Sequence, residues 1–106
     1  MAQTHMKNVE LEDIKVGNVL YFKGKNTSKY KLVRISAITN ELDYYKKPYK
    51  IIHLRYIEND YHHKINFSAA FYDLYKPTLN FIEKKLKQIG KEFYILRALY
   101  SQLKNN

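Results

Sequence analysis

The sequence predicts an α+β chain: a small antiparallel sheet or barrel of four or five strands, then a C-terminal helical segment. Two observations carry this. From Asn18 to Phe67, short runs rich in β-branched and aromatic residues alternate with turn residues. From Leu79 onward, Leu79, Ile82, Leu86, Ile89, Phe93, Leu96, Tyr100 and Leu103 recur at spacings of three and four, the apolar stripe of an amphipathic helix. With 106 residues, 45% of them apolar, the chain has material for one domain and a small core.

The opening MAQTHM is unlike the rest of the chain, and residues 1–5 read as a cloning remnant. That leaves a β-rich unit over residues 6–75 and a helical one over 76–106. Val16-Gly17-Asn18 is a turn signal leading into the strand NVLYFK. GKNTSK is a loop, with Gly24, Asn26 and Ser28 as its turn formers. YKLVRISAI is the second strand, with Val33, Ile35 and Ala37 on one face and Arg34 and Ser36 on the other. TNELDYYKKPY reads as a connecting loop, because Pro48 lacks a ladder donor and belongs outside a strand or at its edge. KIIHLRYI is the third strand, with Ile52, Leu54 and Tyr56 facing away from His53 and Arg55. A hairpin turn at Asn59-Asp60 returns the chain as HHKINFSA, the fourth strand.

IKVGNVLYFKG followed by YKLVRISAI, residues 14–38, resembles the opening of small SH3-like barrels, including KOW-type modules. In these, a Val-Gly turn enters one strand and a polar loop leads to the next. The resemblance implies an SH3-like sheet or barrel and, loosely, RNA or ribosomal partners. The helical C-terminal third is not part of that pattern.

Pro77 and Thr78 suit a helix start. Gly90 is a C-cap candidate, yet the apolar phase runs through it without a slip, and a glycine inside a helix costs only about 1 kcal/mol. The pattern therefore predicts one long helix bent at Gly90, with a helical hairpin at Gly90 as the competing arrangement. FYILRALY is apolar almost all round and needs cover on more than one side. A second copy of the chain supplies it, in a homodimer built on Leu86, Ile89, Phe93, Leu96, Tyr100 and Leu103.

Net charge is +9, which suits a polyanionic partner. Of the nineteen basic residues only Arg34, Arg55 and Arg97 are arginines. Lys, Asn, Ile, Tyr and Phe all have AT-rich codons, so composition alone explains much of the Lys-Tyr interleaving and points to an AT-rich bacterium, phage or mobile element. The charge is nevertheless blocked: five cations and no acid from Lys23 to Arg34, and four and no acid from Tyr44 to Ile57. No cysteine is present, so disulfides, thiolate zinc sites and cysteine nucleophiles are excluded. With no apolar run of membrane length and no signal-peptide core, the sequence predicts a cytoplasmic chain without membrane partners.

DYYKKPYKIIHLRY, residues 43–56, is the stretch on which a binding surface is expected. Tyr45 and Tyr49 are placed to stack on bases, and Arg34, Lys46, Lys47, Lys50 and Arg55 to meet phosphates. The competing reading has one or two of these tyrosines capping the core above solvated lysines. Glu58, Asp60 and His62, followed by His63, have the spacing of metal ligands on a strand, but the turn at Asn59-Asp60 breaks their alignment. Neither a phosphate-binding glycine loop nor a nucleophile motif is present, so no catalytic residue, metal or cofactor is assigned. The leading expectation is a non-catalytic accessory protein binding DNA or RNA. A module that binds an acidic protein, such as one from a host cell, comes second, and a small hydrolase or nuclease third.

Overall fold

The computed structural model describes residues 6–25, 29–86 and 93–105. Over these the chain is α+β, with one six-stranded antiparallel sheet, three α-helices and a single 3₁₀ turn at Leu11–Asp13. The strands are β1 (Lys7–Asn8), β2 (Val19–Phe22), β3 (Lys31–Leu42), β4 (Pro48–Tyr56), β5 (His62–Asn66) and β6 (Leu74–Lys76). Their spatial order is β1-β6-β2-β3-β4-β5, so β1 and β5 are opposite edges and the sheet is open. The helices are α1 (Phe67–Asp73), α2 (Leu79–Leu86) and α3 (Phe93–Lys104).

The antiparallel sheet expected over residues 18–67 is present. Gly17, at φ +96°, makes the entry turn into β2, and its N–H donates to the Ile35 carbonyl. The β4–β5 turn holds Asp60 at φ +59°, while the Asn59 side chain accepts from the Tyr61 N–H.

Several boundaries differ from those the sequence predicts. The expected loop TNELDYYKKPY is mostly ladder, since β3 runs to Leu42 and β4 starts at Pro48. Asp43 makes so short a connection workable. Its Oδ1 accepts from the N–H groups of Tyr45 (2.8 Å) and Lys47 (2.9 Å), closing the turn on itself. The expected fourth strand stops at Asn66, where α1 begins. There Phe67, Ala70, Phe71 and Leu74 fall at helical spacing around a pair of alanines. Ala37 does not share a face with Val33 and Ile35. A bulge between Ile35 and Ala37 shifts the register, so Ala37 pairs with His53 and Ile38 takes the inner position.

The sheet buries both faces. On one, Val33, Ile35, Ile52, Leu54 and Leu74 pack with Leu20, Phe22 and Ala70 of α1. On the other, Tyr21 and Leu32 pack with Ile82 of α2 and Leu96 of α3. Alternation along β3 marks Leu32 as outward, but the helices cover it.

α2 and α3 form a hairpin, not one helix. The Tyr100 hydroxyl donates to Glu83 Oε2 at 3.0 Å. On a straight helix those residues would lie about 25 Å apart along the axis. Gly90 and Ile89 fall outside the described residues, as do residues 1–5 and Asn26 and Ser28 of the expected loop. Thr78 caps α2, its Oγ1 accepting from the Phe81 N–H at 3.2 Å.

A hairpin makes positions of one apolar stripe unequal. Ile82 is fully buried whereas Leu79 is 38% exposed. Ile82→Ala is expected to cost about 2–5 kcal/mol and Leu79→Ala under about 1 kcal/mol, read from urea unfolding midpoints. Equal costs would indicate the single long helix.

Candidate functional site

The helical hairpin covers its face of the sheet only as far as Leu32. Beyond it the strip is mainly polar, broken by Ala37 and the buried Ile51. Arg34 pairs directly with Arg55 across β3 and β4, and Arg55 pairs with His62 across β4 and β5. His53 and Lys64 form the next rung. Directly opposed residues on one face have Cβ atoms about 4.5–5.5 Å apart. The two arginines are therefore close neighbours, and both are exposed. Among the described residues neither makes an ion pair. Arg55 Nη1 donates to the Asp60 carbonyl at 3.2 Å, a contact that brings no countercharge. Glu41, the acid further along this strip, is paired with Lys64 at 3.6 Å.

Two histidines sit among these cations. Their rings stack, with centroids 5.1 Å apart and planes 11° from parallel. A hydrogen bond of 2.9 Å joins His53 Nδ1 and His62 Nε2, one ring donating its N–H and the other accepting. His53 Nε2 lies 2.8 Å from Thr39 Oγ1, so both its nitrogens are engaged. Partial loss of water pushes the His62 pKa down. The charges of Arg55, His53, Lys64 and His63 add to that.

The predicted residues fall into two groups. Arg34 and Arg55 form the strip. Tyr45, Lys46 and Lys47 lie in the β3–β4 turn, which begins nine residues beyond Arg34, about 30 Å along the strand. Tyr44 and Tyr45 are 92% and 77% exposed, so neither caps the core. Lys46 holds φ +62°, a left-handed conformation uncommon for a side chain of this kind. Lys50 lies on the opposite face, its Nζ 5.2 Å from the centre of the Phe67 ring. Tyr49 and Lys50 line a groove of about 580 Å³ together with Asp43, Asn66, Phe67 and Ser68.

Sequence reasoning missed His53 and His62 as partners. The signal lay in their shared outward parity on consecutive strands, legible only once the β4–β5 register is known. Glu58 and His62 do not converge, since Glu58 pairs with Lys31 at 3.6 Å and His62 is on β5. The residues expected to join two copies are largely used within the chain. Leu96 is buried, and Leu86, Tyr100 and Leu103 pack against the same core.

No protein-family model matches this chain, and no curated protein or solved structure matches it.

His62 is expected to titrate below the ordinary histidine value of 6.5 in an NMR pH titration, and Arg55→Gln to move it upward. As pH falls through the window below 6.5, the unfolded chain takes this proton before the folded one does, so the fold loses stability there and regains it as pH rises. A His62 pKa at or above 6.5 in the parent would contradict the cationic environment.

Proposed function

We propose that the protein binds single-stranded nucleic acid along the β3–β4 hairpin, from the Arg34–Arg55 pair to the turn at Tyr44–Lys47. One observation carries the reading. Two arginines are held directly opposite each other, exposed and without a carboxylate partner. Like charges so placed are destabilising, and a bound phosphate converts the repulsion into attraction. Around them the hairpin supplies the rest of a single-strand site. Tyr44 and Tyr45 are exposed platforms for bases, and Lys46 and Lys47 are cations beside them.

An acidic protein would meet the same cations. The exposed tyrosines favour nucleic acid, because stacking on a base uses the ring face of each. Neither reading requires a second copy of the chain. The hairpin buries Leu96 but leaves Leu86, Phe93, Tyr100 and Leu103 half-buried, and sedimentation equilibrium distinguishes a monomer near 12.8 kDa from a dimer on these residues.

Binding of a short oligonucleotide should weaken steeply with salt, with a slope of log K on log salt near −0.7 per phosphate contact. Replacing Arg34 and Arg55 together by Gln should reduce that slope by roughly 1.4 and the affinity by about tenfold or more. The melting temperature of the double variant should hold or rise, because a repulsive pair is removed. Unchanged affinity and slope would refute the placement. Absence of binding by the parent even at low salt would refute the reading.

A further inference from the structure

The histidine pair adds a chemical property that the arginines lack. As arranged, His53 Nδ1 and His62 Nε2 share one proton at 2.9 Å, and His53 Nε2 continues the chain to Thr39 Oγ1 at 2.8 Å. A first added proton leaves that contact intact, since one ring still donates and the other still accepts. A second proton does not. Both facing nitrogens then carry N–H groups, two donors confront each other, and each needs an acceptor.

The acceptor must come from outside this cluster. The groups facing the pair are Arg34 and Thr39 from β3, Glu41 beyond them on β3, Arg55 from β4, and Lys64 from β5. Asp60 in the β4–β5 turn offers its carbonyl to Arg55, and Glu41 is held by Lys64. His63 points to the other face, 5.1 Å from the Phe22 ring. No carboxylate among the described residues is placed between the two imidazoles. We infer that His53 and His62, with Arg34 and Arg55, form a phosphate-binding subsite that is loaded by protonation, the phosphate oxygens bridging the two imidazolium N–H groups. The two protons come from solvent and return to it on release.

This inference rests on the nucleic-acid reading and names its pH-dependent phosphate contact. The phosphate can be offered as an internal diester or as a terminal monoester, and the monoester carries the greater charge near neutral pH. A monoester preference would mark the pair as an end-binding site.

The test measures affinity for an oligothymidylate, with and without a 5′-phosphate, at constant ionic strength and at about pH 8 and about pH 5.5, on either side of the ordinary histidine range. The parent should bind roughly tenfold or more tightly at the lower pH, the order expected of a charge-assisted hydrogen-bond pair. His53→Gln and His62→Gln should bring the ratio of the two affinities close to one, while His63→Gln keeps it. A ratio that survives in both of the first two variants overturns the subsite and leaves the nucleic-acid reading standing. A parent that binds no oligonucleotide at either pH refutes that reading instead. The subsite is then judged by inorganic phosphate alone. Added phosphate should raise the NMR-detected pKa of His62 in the parent, and its failure to move overturns it.

Discussion

The pairing of β3 with β4 determines which side chains can meet. Its register places Arg34 opposite Arg55 and Ile35 opposite Leu54, then slips by one residue before Ala37 meets His53. In a ladder of period two, such a slip exchanges the faces of everything beyond it. Without it, Thr39 would point to the face covered by α1, and His53 would lose its contact at Nε2. With it, Ile38 turns inward to the apolar core, and Thr39 and Glu41 join Arg34 on the outer face, which they share with Ala37 and the buried Ile51. One local irregularity thus serves the core and the site together.

The strip is usable because burial is uneven along the sheet. Near Tyr21 and Leu32 both faces are covered, and large side chains removed from water there contribute about 1.5–3 kcal/mol each before entropy is counted. That end gives the long hairpin a fixed base. Toward the turn, α2 and α3 no longer reach, and the exposed cations face water on one side and the apolar layer on the other. The tyrosines divide in the same way. Tyr21, Tyr30 and Tyr75 join Phe81 in edge-to-face contacts under the helices, whereas Tyr44 and Tyr45 stand exposed at the turn. A tyrosine-rich composition does not fix where the tyrosines stand.

Much of the fold was legible because it depends on local pattern. The alternation of Ile52, Leu54 and Tyr56 against His53 and Arg55, the turn at Asn59-Asp60 and the cap at Thr78 are all short-range signals, and all are present. What escaped is non-local. Leu32 reads as outward until a helix from the far end of the chain lies on it. The unbroken three-and-four spacing through Gly90 is compatible with a long helix and with a hairpin, and the Glu83–Tyr100 contact and the meeting of Ile82 with Leu96 in one core cluster decide between them. The candidate site divides along the same line. Arg34 and Arg55 share outward parity in the sequence, but their direct opposition, and the meeting of His53 with His62, depend on strand registers that no single strand encodes. Lys50 was grouped with Lys46 and Lys47 by nearness in sequence, whereas alternation sends it to the opposite face beside Phe67.

The most direct measurement is backbone amide chemical-shift mapping by NMR during titration with a short single-stranded oligonucleotide at low salt. The account predicts perturbations concentrated on β3 and β4 outward from Arg34, on the turn at residues 43–47, and on His62 across the ladder, with α2 and α3 unmoved. Perturbations confined to α2 and α3, or none at saturating oligonucleotide, would contradict it.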